Sequence, residues 1–144
     1  HHWNVAIVGM GHLGAALANY QGIARLGFHL AAIFDVNPVV IGTRVGERRV
    51  EDIAYLAEII AERDIQIGVI AVPAIHAQGV ADKLVGAGIR GIWNFAPVNL
   101  HVPPHIPFVS EDLSVGLSSL SYYLTHTTGE GDNLSERFKE SLIK

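Results

Sequence analysis

The chain has 144 residues, the size of one globular domain, with no cysteine, a net charge of −4 and no basic run. That excludes disulfides, a thiolate nucleophile and Cys-ligated zinc, and makes this chain alone a poor grip for DNA or RNA. Hydrophobic residues make up 49% and charged residues only 17%, so apolar surface must hide under helices on both faces of a sheet or against a partner.

Residues 4–8 form a β-rich run followed at once by glycines. Apolar residues at Leu13, Ala16, Leu17, Tyr20, Ile23 and Ala24 then mark one helical face over 13–26, with Gly27 as the stop. A second strand over 29–34 ends at Asp35 and the Asn37-Pro38 turn. The stretch 41–49 is irregular, Val50 anchors a short third strand, and 52–63 is helical. Residues 65–72 read IQIGVIAV, the near-continuous apolar run of a strand buried on both faces. A helix over 74–87 follows, then a strand over 89–95, a proline-rich loop over 101–107, and a short strand at Phe108 and Val109. A last helix spans 113–124. This alternation predicts an α/β fold with a doubly wound parallel sheet. No run reaches the roughly 18 apolar residues of a membrane helix, and no signal peptide is recognisable. His1 and His2 look like a tag remnant, so 1–3 are read as remnant and start, 4–124 as the domain, and 125–144 as a polar tail, loose or forming a short helix.

Gly9, Met10, Gly11, His12, Leu13 and Gly14 fit G-x-G-x-x-G between a strand and a helix. Gly9 permits a tight turn, Gly11 lets backbone approach a pyrophosphate, and Gly14 lets the helix pack close to the strand. The free N–H groups of the new helix then face the phosphates. Asp35 closes the second strand about 20 residues past the last glycine, where a carboxylate accepts the ribose hydroxyls of NAD and repels the 2′-phosphate of NADP. The alternative for Asp35 is an Asx turn into Asn37-Pro38. Together these features predict a Rossmann, NAD-binding domain. Val36 belongs to the same strand end. Val72, Pro73 and Ala74, and Asn94, Phe95, Ala96 and Pro97, are strand ends aimed at the same crevice and suited to a flat nicotinamide. Asn94 is equally readable as a core or turn amide.

No catalyst accompanies the nucleotide site. His76 is near enough to be considered but reads better as an exposed helix-start residue, His12 belongs to the turn, and His101 and His105 lack the spacing of a metal pair. The chain reads as a sensor rather than an enzyme, with no metal site.

With these residues in place, the chain resembles the C-terminal NAD(H)-sensing domain of the bacterial redox-sensing transcriptional repressors of the Rex family. The resemblance runs over residues 4–124, through VAIVGMGHLGAALANY, AAIFDVNP, VPAIHAQGVADKLVGAGIRGIWNFAPVNLHVP and SEDLSVGLSSLSYYL. It implies a cytoplasmic homodimer with the C-terminal helix exchanged between subunits. It also implies that NADH, preferred over NAD+, releases operator DNA held by an N-terminal winged-helix domain absent from these residues. Tyr20 and Asp112 would make redox-dependent contacts across the dimer, and Leu113 would reach the partner's nicotinamide pocket. Two other classes stay open: the nucleotide domain of an NAD-dependent dehydrogenase, and a CoA-binding domain of the acyl-CoA synthetase type.

Overall fold

The strand β1 (Trp3–Val8) divides its side chains between two faces, Val5 and Ile7 on one and Ala6 and Val8 on the other, and all four are buried. A strand apolar on both sides needs cover on both sides, which places it at the centre of a sheet. The computed structural model describes residues 2–111 and 113–128, of 113–116 and 127–128 the backbone only. Its remaining strands are β2 (Phe28–Asp35), β3 (Arg44–Val45), β4 (Arg48–Asp52), β5 (Ile67–Ile70), β6 (Gly91–Asn94) and β7 (Phe108–Ser110). The sheet order is β3-β4-β2-β1-β5-β6-β7, with every pair parallel except β3 with β4. Leaving out β3, the parallel strands run third, second, first, fourth, fifth, sixth along the sheet. The order reverses between β1 and β5, and in open α/β sheets the crevice at such a reversal is where ligands bind.

The helices are α1 (His12–Ala18), α2 (Gly22–Arg25), α3 (Leu56–Glu62), α4 (Ala74–Gly86) and α5 (Leu113–Thr128). The main core lies under α3 and α4, where Leu56, Ile59, Ile60, Val80 and Leu84 meet Ala6, Val8, Phe34 and Ile70. On the opposite face a smaller cluster of Val5, Ile7, Val69 and Phe95 is covered by Leu13, Leu17 and Ala18 of α1.

Three expectations are corrected. The single helix over 13–26 is two, because α1 stops at Ala18. There the Asn19 side chain donates to the Ala15 carbonyl at 2.8 Å, and its own N–H bonds the same carbonyl at 3.1 Å. Such local amide bonds compete with helix continuation. The third strand is not isolated around Val50 but part of a β3–β4 hairpin, whose arginine-rich sequence hides the strand period. The last helix extends four residues beyond Leu124, to Thr128, before the described residues end. Asp112 and residues 129–144 lie outside the described residues. No helix among those described is long and apolar enough to cross a membrane.

Candidate functional site

The turn after β1 is built by backbone that tolerates no side chain at two positions. Gly9 has φ +110°, and a Cβ there would strike the Ala71 carbonyl. A Cβ on Gly14 would strike the Gly9 carbonyl, so α1 packs directly on the turn, as the third glycine of the motif requires. Gly9 N–H donates to the Phe34 carbonyl at 2.8 Å and Ala71 N–H to the Val8 carbonyl at 2.8 Å, fixing the turn between the ends of β2 and β5. Gly11 caps α1 without a side chain, which leaves its end open to a ligand.

Asp35 is held by the backbone on two sides. Its Oδ2 accepts from Met10 N–H at 2.8 Å, and its Oδ1 accepts from Val36 N–H at 2.7 Å and Asn37 N–H at 3.0 Å. The carboxylate therefore makes the Asx turn and also ties the end of β2 to the glycine turn. A carboxylate offers about four acceptor positions. Three are in use, so one remains open on Oδ2.

A cavity of about 530 Å³ opens at these strand ends. Gly9, Met10, Gly11, Asp35, Val36, Val72 and Pro73 line it, all of them foreseen from the sequence. His76 also lines it, as an exposed residue early in α4. Sequence reasoning missed the α4 face of Ile75, Gly79 and Lys83 and the facing side chain of Val40. The signal available was the glycine in the middle of an otherwise regular helix.

The other foreseen residues do not line this cavity. Leu13 packs into the smaller core, His12 is exposed at the start of α1, and Ala74 begins α4. Asn94 is fully buried. Its Nδ2 donates to the carbonyls of Ala96 and Val98 and to Ser110 Oγ, while its Oδ1 accepts from Ala96 N–H at 2.9 Å. It is a turn amide, holding the β6 end to β7. Phe95 and Ala96 are buried and Pro97 half-buried beside it.

Tyr20 sits in the break between α1 and α2, not on a helix, and is 61% exposed. It borders an apolar groove of about 500 Å³ on the smaller-core face, together with Leu17, Ile23, Val69, Trp93 and Val109. No group of three metal-ligating side chains gathers among the described residues.

The CoA binding domain family matches residues 1–98, more than half of the chain. The chain belongs to that family. Within this CoA binding domain fold its homologues are redox-sensing transcriptional repressors. One is Rex of Clostridium perfringens (strain SM101 / Type A), 44% identical over 124 residues, covering 86% of this chain and 58% of the relative. A crystal structure of RSP with beta-NADH superimposes with a TM-score of 0.81 at 38% identity, over 96% of this chain and 63% of that one. A second RSP structure, with beta-NAD+ and operator DNA, gives 0.83 at 38% identity, over 96% and 60%. RSP is itself described as a Rex-family repressor. The chain thus spans about three-fifths of the length of these relatives.

Proposed function

We propose that this chain is the NAD(H)-sensing domain of a redox-responsive transcriptional repressor and performs no catalysis of its own. The observation that carries the reading is the Asp35 carboxylate bonded to Met10 N–H of the glycine turn, at the point where the strand order reverses. Phosphates approach the turn, the adenosine ribose takes the remaining acceptor on Oδ2, and the nicotinamide extends toward Pro73 and the β6 end. Val72, Pro73, Ala74, Phe95, Ala96 and Pro97 carry no charge there, so the neutral reduced ring is preferred to the cationic oxidised one, whose burial would be costly. A 2′-phosphate beside Asp35 meets a repulsion of about 4 kcal/mol at 4 Å and an effective dielectric near 20, which disfavours NADP. The names of the homologues, and the NADH and operator complexes of RSP, support the same reading.

The chain works as a homodimer in this account. Leu120, Tyr122, Tyr123 and Leu124 of α5 are all exposed, and the apolar groove on the sheet is left open. Exchange of α5 between two copies covers both. Tyr20, beside the groove, then stands where two subunits meet and transmits the state of the pocket. Operator DNA is held by a winged-helix domain outside these residues, in the cytoplasm.

A second reading follows from the matched family's name, which points to CoA. CoA carries a 3′-phosphate on the ribose that Asp35 faces, so the same repulsion weighs against it.

Operator release by the full-length protein tests the function. NADH is expected to release the DNA at lower concentration than NAD+. Release by neither nucleotide, with the protein folded and DNA-bound, would overturn the reading.

A further inference from the structure

Gly22 opens α2, a helix of only four residues, where glycine is a poorer helix former than alanine. The neighbouring tyrosine is what requires it. A Cβ on Gly22 would strike Cζ, Cε2 and the hydroxyl oxygen of Tyr20, so the phenol end of the ring fills the space that any side chain at 22 would need. Glycine is the residue that lets another group come this close to the backbone. The ring has little other support. Tyr20 is 61% exposed, and no hydrogen bond joins its hydroxyl to another described residue. The backbone around it is held, with Tyr20 N–H donating to the Leu17 carbonyl at 3.2 Å and Ile23 N–H to the Tyr20 carbonyl at 3.4 Å. With its root fixed, the ring moves only about its own side-chain bonds, and the bare backbone at Gly22 sets where it comes to rest.

We propose that Gly22 is the positioning residue for Tyr20, its bare backbone seating the phenol ring and fixing the place from which the hydroxyl meets the partner subunit. The proposal rests on the reading above of Tyr20 as a residue between subunits, and deepens it. A hydroxyl unbonded within its own chain, at the rim of an apolar groove, serves an acceptor on a second copy best when the ring arrives already placed. Ordering an exposed side chain at the moment of contact costs entropy, and the seat removes that cost beforehand. Gly22 is not among the residues that line the nucleotide cavity, so it acts on the signal without touching the ligand.

Fluorine NMR of this chain labelled with 3-fluorotyrosine, together with operator release by the full-length protein, tests it in wild type, Gly22→Ala, Tyr20→Phe and the double variant. The chain has four tyrosines, and the resonance of Tyr20 is the one that Tyr20→Phe removes. Folding is not at risk in Gly22→Ala, because the methyl group meets the far end of a flexible side chain and alanine is the better helix former. Gly22→Ala should move the Tyr20 resonance and leave the other three in place. It should shift the NADH concentration for operator release in the same direction as Tyr20→Phe, by about fivefold or more. The double variant should behave as Tyr20→Phe alone, since placement no longer matters once the hydroxyl is gone. A glycine that served only α2 would instead add its effect to that of Tyr20→Phe. A Tyr20 resonance unmoved by Gly22→Ala would overturn the seat. So would additive shifts in the double variant, or release that Tyr20→Phe alters and Gly22→Ala leaves unchanged or shifts the opposite way. If Tyr20→Phe left release unaltered while Gly22→Ala still moved the Tyr20 resonance, the signalling role of Tyr20 would fall and the seat would stand.

Discussion

Asp35 shows how one carboxylate ties together two turns at the mouth of the cavity. Its three backbone donors come from both sides of the crevice, Met10 on the turn and Val36 and Asn37 after β2. Asp35→Ala orphans all three at once. It should lower the unfolding free energy by about 1–3 kcal/mol, read from urea denaturation, in addition to weakening NADH. Unchanged stability would mean that water replaces the carboxylate without cost. Gly14→Ala acts through a different cause, because its methyl group meets the Gly9 carbonyl rather than a pliable side chain. Overpacking of this kind typically costs about 1–3 kcal/mol, and a thermal melt no lower than wild type would show that the turn yields. The roles of Gly9 and Gly14 were legible in the sequence because each is a steric demand with a fixed spacing. The full load on Asp35 was not, since backbone N–H groups leave no trace in residue identity. Asn94 was evenly poised between two readings for a related reason: only the positions of Ala96, Val98 and Ser110 decide it.

At the scale of elements, the alternation of strands and helices was readable because buried parallel strands such as 67–70 are apolar without interruption. The break after α1 was not. Tyr20 and Ile23 continue the helical period, and the competing Asn19 bond to Ala15 shows only in the structure. The β3–β4 hairpin escaped because β3 is a two-residue edge strand, which needs no apolar alternation, and Arg48 and Arg49 interrupt the apolar pattern of β4. Under the proposed function the break bears on signalling. It frees Tyr20 from the helix axis and leaves its ring exposed at the apolar groove. Tyr20→Phe should therefore change stability by less than about 0.5 kcal/mol, as for a surface substitution. In the full-length protein it should shift the NADH concentration that releases operator DNA, with coupling typically about 5- to 150-fold. Superimposable release curves would place the switch elsewhere, with Leu113 the next residue to test.

The whole molecule is lopsided, with a large core under α3 and α4 and an open apolar groove opposite. The composition already pointed to extensive apolar surface, in a charged share of 17% against an average of about 25%. Light scattering at micromolar concentration should return twice the monomer mass of 15.5 kDa. The pair Leu120→Asp and Tyr123→Asp, both on exposed turns of α5, should shift the chain toward monomer without unfolding it. A monomeric wild type would remove the exchanged helix from the account.

The central claim is that the cavity between the glycine turn and Asp35 takes NADH, and a thermal melt of this chain with NADH, NADPH and CoA tests it most directly. Ligand at about 100 times its dissociation constant adds about 2.7 kcal/mol of stability. For a domain of this size that raises the melting temperature by about 5–10 °C. The account predicts that shift with NADH and a far smaller one with NADPH or CoA. Equal shifts with NADH and NADPH, or a shift with CoA and none with NADH, would contradict it.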